Sequence, residues 1–453
     1  MGGYILNFVI EGLIQFILWY VVGMALINIL QIFSALFIVP EHRIKTHYHE
    51  YRHKGEHMAP ISILVPAFNE EANIVESIKV MLNQYYLNYE VLVINDDSDD
   101  KTLEVMMKAF NLHKITYPVR EQLATKKIRG VYYNPDIPRL RLVDKERGGK
   151  SDALNVGINL SRYPYILSVD TNTILEPSAL INIAMDFMYH DTVSVGGMIR
   201  VANGCTIEDG RVANIGLPRN IWALFQVIEY IRGWTGFSSQ LLISSAFGAF
   251  QKSAVLQVGG YTAGAVGEDM DLVVKLHRHL RRKKIKYRMS FLPDPVCWKR
   301  VPEKLGDLFL QRRKRQTGLI SILSRYREMF LNPRFGIPGM LALPYYFLFA
   351  VISPWIKVTG YIAIPLAWYF GRLSLEGLIL FFAAATVFGI IASIGSLLIE
   401  EASNPRFTNL RDGLFLCLLS IFENLFYRQM TVVFRLLGFI FHHKQRITEK
   451  KQK

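Results

Sequence analysis

Cysteine is scarce in this chain: its 453 residues include only three, Cys205, Cys297 and Cys417. They lie far apart, no two have the spacing of a zinc site, and they do not form a disulfide framework. Both kinds of covalent stabilisation are therefore excluded as organising features, and we expect the thiols to be small buried side chains. Internal repeats and low-complexity linkers are also missing from the sequence.

Acidic residues are the minority charge, with 38 Asp and Glu against 52 Lys and Arg. The resulting net charge of +14 is compatible with nucleic-acid binding. The basic residues, however, concentrate beside apolar segments, at residues 42–57, 278–288 and 442–453. Juxtamembrane cations attracted to an anionic cytoplasmic leaflet explain that pattern better. We therefore expect a phospholipid membrane as a partner, and no nucleic acid.

Long apolar runs are abundant, and hydrophobic residues make up 51% of the chain. Residues 13–40 lack a small-residue cleavage site and predict an uncleaved membrane helix, since about 20 apolar residues span a bilayer core. The basic stretch that begins at Glu41 predicts that this helix ends in the cytoplasm.

Three more apolar blocks follow, at residues 337–370, 378–399 and 414–441. The last block carries polar groups at near-helical spacing, which fits an interfacial amphipathic helix as well as a spanning one. The four polar residues are Glu423, Arg428, Gln429 and Arg435. The simplest count is one span before the central domain, two after it and an interfacial helix. If the proline-broken block 337–370 is a hairpin, residues 414–441 must cross instead.

The central domain predicts an α/β fold. Apolar strands at residues 61–65, 91–94 and 165–169, with an amphipathic helix at 74–84, indicate a largely parallel sheet. Residues 120–141 lack clear periodicity and predict a surface insertion. The predicted organisation is a membrane helix (1–40), a cytoplasmic domain (58–330), membrane and interfacial helices (337–441) and a basic cytoplasmic tail (442–453). This describes a multi-pass plasma-membrane protein.

Acidic clusters follow several of these strands. Asp96 ends one apolar run, Asp170 ends another, and Glu268 and Asp269 come later. In parallel sheets ligands bind beyond the strand carboxyl ends, so these acids are expected to share one edge. Such a cluster needs a counter-ion, a divalent metal bound to a polyphosphate, or a proton to move.

Neighbouring polar residues allow two interpretations each. The Asp96 segment also has good turn chemistry. Asn69 and Glu70, in the first strand-to-helix loop, face a nucleoside or cap the helix. Lys150, after two glycines, meets a diphosphate or lies in solvent.

Six motifs in one order resemble the membrane-embedded family-2 glycosyltransferases, the group of cellulose, hyaluronan and poly-N-acetylglucosamine synthases. They are Val65-Pro-Ala-Phe-Asn-Glu-Glu71, Asn95-Asp-Asp-Ser98, Gly148-Gly-Lys-Ser-Asp-Ala-Leu-Asn155, Val169-Asp-Thr-Asn-Thr173, Gly267-Glu-Asp269 and Pro293-Asp-Pro-Val-Cys-Trp298. The resemblance implies a GT-A domain that transfers a sugar, with inversion, from a nucleotide sugar such as a UDP-sugar. The acceptor is a growing β-linked polysaccharide that passes through the membrane.

The resemblance also implies roles for single residues. Asp269 is the catalytic base and Glu268 orients it or the acceptor. Asp96 and Lys150 bind the nucleotide sugar. Asp170 and Asn172 bind Mg²⁺ or Mn²⁺ through oxygen ligands. Asn172 departs from the family, which has a second acid there.

The segment Gln311–Gly318 occupies the place of the family's Gln-x-x-Arg-Trp motif. In that motif the Gln and Trp line the acceptor site and the Arg meets the pyrophosphate. Here Gln311 is present and is expected to bind the acceptor. Lys314 stands where Arg belongs and Arg315 where Trp belongs, and both are expected to bind the nucleotide sugar as cations beside the leaving group. Trp298 is another aromatic residue that either meets an acceptor or lies in the core. For Arg312 and Arg313 the less favoured alternative is a basic helix that lies on the membrane surface.

These departures keep two other functions open. One is transfer of a single sugar to a lipid or short glycan, favoured by the missing Trp. The other is a catalytically weak, nucleotide-sugar-binding membrane subunit, favoured by Asn172 and by the altered Gln311 segment.

Overall fold

The computed structural model describes residues 11–30, 32–33, 58–208, 211–235, 247–403 and 410–451. Several predicted features lie outside these residues, namely the last part of the first apolar run, the basic stretch after it and the final two residues of the tail. The strands are β1 (Ile61–Ala67), β2 (Tyr89–Asp96), β3 (His113–Ile115), β4 (Ile128–Tyr133), β5 (Leu140–Lys145), β6 (Tyr165–Val169), β7 (Thr173–Leu175), β8 (Thr192–Val201), β9 (Thr206–Glu208), β10 (Arg211–Asn214), β11 (Phe247–Gln251) and β12 (Arg288–Lys299).

Helices cover the sheet and extend beyond it. In the first part of the chain they are α1 (Glu11–Leu30), α2 (Ile74–Leu82), α3 (Thr102–Ala109), α4 (Lys150–Leu160), α5 (Ala179–Phe187) and α6 (Ile221–Thr235). The later ones are α7 (Lys252–Gln257), α8 (Glu268–Arg282), α9 (Leu305–Arg325), α10 (Pro338–Tyr369), α11 (Leu375–Ser403), α12 (Leu410–Phe422) and α13 (Arg428–Lys451).

Ten strands form one sheet in the order β3-β4-β5-β2-β1-β6-β11-β8-β12-β7. The four strands β5, β2, β1 and β6 are parallel neighbours. They are buried almost throughout, because their Val, Ile and Leu side chains face a hydrophobic cluster on each side. The predicted α/β class with a parallel central sheet is confirmed.

The strand ends collect charged side chains at one edge. Asp96 is the last residue of β2, Lys145 the last of β5, and Asp170 follows β6. Strand β12 runs parallel to β8, and its last residue, Lys299, pairs with Thr173 of β7. Lys299 therefore lies beside Asp170 although 129 positions separate them.

The surface insertion predicted at residues 120–141 is wrong, because this stretch contains β4 and the start of β5. Arg141 is buried in β5, where its guanidinium forms an ion pair with the buried Glu90 and donates to the carbonyl of Leu160. An inward-pointing charge interrupts the apolar pattern of a strand, and the sequence pattern does not reveal the strand for that reason.

Three of the described helices are long and apolar enough to cross a membrane, namely α1, α10 and the Leu375–Ala402 part of α11. This number equals the simplest predicted count. Residues 338–369 form one helix rather than a hairpin, with π-helical turns at Pro338–Ala342 and Phe347–Ile352. Proline lacks the N–H that a regular helix needs, and the widened turns accommodate the prolines without ending the helix.

The apolar block at residues 414–441, for which an interfacial amphipathic helix is one predicted alternative, is not a simple amphipathic helix. Helices α12 and α13 are joined by a π-helical turn, Glu423–Tyr427, whose polar side chains point inward. Glu423 is fully buried and forms a bidentate ion pair with Arg232 of α6, with distances of 2.9 and 3.0 Å. Its neighbour Asn424 donates to Ser393 of α11. These polar residues thus bind other helices instead of facing water.

The buried Arg141–Glu90 pair provides a test of the fold. The substitution Arg141→Met leaves the Glu90 carboxylate buried without its guanidinium, so the free energy of unfolding should fall by about 3 kcal/mol. Urea unfolding of the full chain in detergent micelles, followed by tryptophan fluorescence, measures this change. The exposed Lys79 pairs with Glu76 and serves as the control; its replacement by Met should change stability by less than about 0.5 kcal/mol. Equal unfolding curves for both variants would contradict this account of β5.

Candidate active site

The charged cluster at the sheet edge centres on the Lys150 ammonium. Its Nζ lies 2.8 Å from Asp170 Oδ1, 2.8 Å from Glu268 Oε1 and 3.9 Å from Asp269 Oδ2. A second ammonium, Lys299 Nζ, lies 2.7 Å from Asp170 Oδ2. Three carboxylates and two ammonium groups, from four separate parts of the chain, thus meet in one place.

Two glycines with left-handed backbone allow the helices to begin here. Gly149, before α4, has φ +85°, and Gly267, before α8, has φ +80°. Residues other than glycine rarely adopt these backbone angles. Each glycine turns the chain so that the next residue, Lys150 or Glu268, starts a helix at the cluster. The first turn of α8 holds three acids, which the helix dipole stabilises.

Asp269 is the most enclosed group of the cluster, with 1% of its surface exposed. Neither of its carboxylate oxygens has a hydrogen-bond partner among the described residues. Burial raises the pKa of Asp269 to about 7, against the opposing effect of Lys150 and with the support of Glu268. A carboxyl group with such a pKa can accept a proton near neutral pH.

Its neighbour Asp271 is held differently. One oxygen accepts from Arg325 at 2.7 Å and the other from Thr262 at 2.6 Å. Asp271 therefore fixes α8 to α9 and to the preceding loop, and it is not available for chemistry.

The oxygen donors at Asp170 suit a divalent cation. Each Asp170 oxygen already meets a cationic group, and the exposed Asn172 lies two residues further along the same turn. Mg²⁺ and Mn²⁺ prefer oxygen ligands, and diphosphate oxygens can complete the set. The residues therefore fit a metal, provided that one lysine leaves Asp170. Among the described residues, no group of three or more His, Cys, Asp or Glu side chains could hold a metal ion by itself.

Asp96 is predicted to contact the nucleotide directly, but its carboxylate has other partners in the structure. Its carboxylate is buried and accepts from Lys145, from the Gly148 amide at 2.9 Å and from the Gly149 amide at 2.7 Å. The oxygens are thus occupied by the loop that precedes Lys150. Asp96 positions that loop, since a buried carboxylate with these bonds has little freedom to meet a ligand.

Asn69 and Glu70 lie on the loop after β1, which is bound to the loop after β2. Asn69 Oδ1 accepts from the Asp99 amide at 2.8 Å, and the Glu70 amide donates to Thr102 Oγ1 at 2.9 Å. Neither side chain caps α2, whose N-cap residue is Asn73. The capping alternative for these two residues is therefore wrong.

The two predicted acceptor residues, Trp298 and Gln311, and the two cations Lys314 and Arg315, predicted to bind the nucleotide sugar, form no described ion pair or hydrogen bond with the cluster. Trp298 is a core residue of β12, 2% exposed, and its indole donates to Glu176. Its prediction as an acceptor-binding residue is therefore corrected. Gln311, Lys314 and Arg315 lie on α9, where Gln311 is half-buried and the other two are exposed. None of these three forms an ion pair or hydrogen bond with the Lys150 cluster in the described chain.

For Arg312, the alternative of a basic helix on the membrane surface is wrong. Its guanidinium is 3% exposed and forms a bidentate ion pair with Glu229 of α6, with distances of 2.7 and 2.6 Å. It also donates to Tyr427 at 3.2 Å. Arg312 therefore joins α9 to α6 and to the π-helical turn before α13.

Sequence reasoning missed Lys299 and Tyr261. The Tyr261 hydroxyl is buried close to Asp269 and Ser168, and burial, together with the Asp269 charge, raises its pKa well above its ordinary value. Asn155 holds the Tyr261 backbone by two hydrogen bonds, of 2.9 and 2.8 Å. No local sequence pattern marks either residue, because both reach the site through pairings between distant segments.

Comparison with curated proteins finds similar proteins that share one name. The poly-beta-1,6-N-acetyl-D-glucosamine synthase of Staphylococcus aureus (strain COL) is 30% identical over 266 residues, which cover 58% of this chain and 56% of the relative. The synthase of the same name from Staphylococcus epidermidis is 27% identical over 282 residues, 60% of this chain and 58% of the relative. The chain thus spans just over half the length of the curated relatives it matches.

A solved structure shares the fold. The mannosyltransferase PcManGT from Pyrobaculum calidifontis, in complex with GDP-Man and Mn²⁺, aligns with a TM-score of 0.51 and 17% identity. The alignment covers 89% of this chain and 99% of that chain. At this identity the likeness concerns the fold, an α/β GT-A domain.

Two family profiles match the chain itself. The profile of "Glycosyl transferase family 2" matches residues 62–254, and that of "Glycosyl transferase family group 2" matches residues 165–392, half of the chain. Together they include the parallel sheet, Lys150, Asp170, Asp269 and most of the membrane helices. The chain belongs to glycosyl transferase family 2.

Proposed function

We propose that this protein is an inverting glycosyltransferase of the plasma membrane, with its α/β domain in the cytoplasm. It moves a sugar from a nucleotide sugar, a UDP-sugar, to a growing β-linked polysaccharide. The observation that carries this proposal is the buried Asp269 carboxylate, with its pKa raised to about 7, beside the ammonium of Lys150. The names of the curated relatives, poly-beta-1,6-N-acetyl-D-glucosamine synthases, support a polymeric product.

The donor site is proposed at the sheet edge. Lys150 and Lys299 are the cations that would meet the diphosphate. Asn69 and Glu70 would line the nucleoside side, and Asp96 would act through the Gly148–Gly149 loop. Asp170 and Asn172 would hold Mg²⁺ or Mn²⁺, which when bound neutralises charge on the diphosphate. A structure with the same fold contains Mn²⁺, which is in keeping with this proposal.

The proposed reaction is a single displacement. Asp269 accepts the proton of the acceptor hydroxyl while that oxygen bonds to the anomeric carbon of the donor. The bond from the anomeric carbon to the diphosphate oxygen breaks, and Lys150 and Lys299 stabilise the negative charge that develops there. Because attack comes opposite the leaving group, an α-linked donor gives a β-glycoside.

One observation favours a second function, transfer of a single sugar to a lipid or short glycan. A processive enzyme holds its chain while the donor site refills, commonly on an aromatic platform. Here Arg315 stands in the Trp position and Trp298 is buried. A guanidinium can pack against a sugar or pair with an anionic one, so we retain polymer synthesis as the main proposal. The intact Lys150 and Asp269 cluster argues against a subunit without activity.

The proton acceptor is tested by Asp269→Asn. The amide keeps the shape of the side chain but cannot take the proton, so transfer should fall by about 10³-fold or more while donor binding stays within a few-fold. Nucleotide release and calorimetric donor binding measure the two effects. Asp271→Asn, in the same helical turn, is the matched control and should lower the melting temperature while keeping most of the transfer. Substantial turnover by the Asp269→Asn variant would exclude Asp269 as the base.

The pH dependence of kcat/KM also tests Asp269, and a substitution of its neighbour Glu268 should shift that dependence. Asp269 must be deprotonated to act, so kcat/KM should rise with pH through about 7. Since the Glu268 charge helps to raise the pKa of Asp269, Glu268→Gln should move this rise to lower pH. The exposed Glu76→Gln is the control and should leave the profile unchanged. A wild-type profile that is flat between pH 5 and 8 would contradict the assignment.

Metal dependence is tested by chelation together with Lys299→Met. Excess EDTA should stop transfer, and Mn²⁺ or Mg²⁺ should restore it. Lys299 competes with a cation for Asp170 Oδ2, so Lys299→Met should tighten Mn²⁺ binding several-fold, measured by electron paramagnetic resonance without nucleotide, since Lys299 is also proposed to meet the diphosphate. Asn172→Asp should act in the same direction because it adds a carboxylate. The exposed Lys286→Met is the control for charge alone. Full activity in EDTA would refute the metal, and unchanged Mn²⁺ affinity would refute the competition.

A further inference from the structure

A crevice between four membrane-side helices contains two cationic side chains. It encloses about 580 Å³ of empty space, its open mouth included, and lies between α1, α10, α11 and α13. Most of its wall is apolar, and its polar groups are Asn28, Lys357, Tyr361, Arg428 and Gln429. No carboxylate lines it, so the crevice is positively charged and suited to an anion.

The two cations have no acidic partner within the described part of the chain. Arg428 donates to the Asn424 amide oxygen at 2.9 Å, and neither it nor Lys357 forms an ion pair there. Both side chains are half-buried. Arg435, two helical turns beyond Arg428 on α13, also lacks a described ion pair and lies within electrostatic range of Lys357.

The neighbouring cations differ, because they are paired. Arg232 forms its bidentate pair with Glu423, Arg312 with Glu229, and Arg200 with Glu400. The chain therefore supplies carboxylates to the guanidiniums that hold the helices together. Neither Lys357 nor Arg428 forms an ion pair with a described carboxylate, and Glu423 and Glu229 act on Arg428 only from a distance, because each is paired with another arginine.

Gly389 of α11 makes room for this arrangement. A methyl group at Gly389 would lie 2.2 Å from Asn424 Oδ1 and 2.7 Å from Arg428 Nη1. The missing side chain lets Asn424 and Arg428 lie directly against α11, near the middle of a span 28 residues long. Arg428 is thus held at membrane depth and cannot reach the interface by extending outward.

Cations inside a membrane are costly when no carboxylate forms a direct ion pair with them, and they mark the paths of charged ligands. We propose that the crevice binds an anionic group, a phosphate or a carboxylate, carried by the acceptor of the proposed transfer. This inference rests on the proposed function and names the class of its acceptor. The anion comes either from a lipid phosphate or from an acidic sugar of the growing chain. Its charge offsets Lys357 and Arg428, and its apolar or sugar portion lies against α1 and α11.

The test measures binding by the full chain in phosphatidylcholine nanodiscs without donor. The probes are a polyprenyl phosphate, for the lipid source, and a tetragalacturonate, for the sugar source. The neutral counterparts are a polyprenol and a chitotetraose, and phosphatidylglycerol measures general attraction of anionic lipid. We expect one of the two acceptor anions to bind at least tenfold more tightly than its neutral counterpart and than phosphatidylglycerol. Equal binding of charged and neutral probes would overturn the proposal.

Variants locate the site. Lys357→Met and Arg428→Gln should each weaken binding of the preferred anion by about tenfold or more, and Lys357→Arg should retain it. The exposed Arg372, at the end of α10, is the matched control, and Arg372→Gln should bind as the wild type does. Lys357→Met should also raise the melting temperature of the ligand-free protein, because it removes a buried charge. Unchanged anion binding in both charge-removing variants, or a lower melting temperature for Lys357→Met, would contradict the site.

Donor binding separates this inference from the proposed function. Each variant is titrated with UDP, and we expect wild-type affinity, since the crevice and the Lys150 cluster share no residue. Transfer to neutral acceptors without anion binding would refute the crevice and leave the glycosyltransferase function intact. Anion binding without any nucleotide binding would refute the function instead.

Discussion

The structure of the site depends on one interaction, the ammonium of Lys150 among the carboxylates of Asp170, Glu268 and Asp269. Without this cation, three acids from distant segments would repel each other in a largely buried space. Asp269 remains slightly apart, at 3.9 Å, with oxygens that no described hydrogen bond satisfies. Burial raises its pKa to about 7, with the Glu268 and Asp170 charges adding to the rise and Lys150 only partly opposing it, which makes Asp269 the group best suited to accept a proton.

Much of the fold and some of the site could be predicted from the sequence. Three apolar runs in the sequence correctly predicted β1, β2 and β6. Because Asp170 follows the last of these runs, its position at the edge of the sheet could also be predicted. Lys299 and Arg141 could not be predicted, since a lysine or arginine in a strand looks like a surface residue until its partner is known. The prediction for Trp298 failed for the opposite reason, because a large aromatic residue can serve a ligand or the core equally well.

The membrane region shows the same limit. The hydropathy of the sequence identifies the apolar helices. It cannot tell whether a charged residue within them has an acidic partner on another helix. The structure separates two groups of charges. Arg232, Arg312 and Arg200 are paired with acids and connect the helices, whereas Lys357 and Arg428 have no described acidic partner in an open crevice. The paired charges are structural, and the unpaired ones are where we infer a ligand.

The central claim is inverting transfer from a nucleotide sugar to a β-linked chain, and the configuration of the product tests it most directly. The purified full chain, reconstituted in lipid vesicles, is incubated with a panel of ¹³C-labelled UDP-sugars, and the product is analysed by nuclear magnetic resonance. We expect a polymer whose new linkages are all β, formed with one UDP released for each sugar added. An α-linked product, or release of UDP with only free sugar formed, would contradict the account.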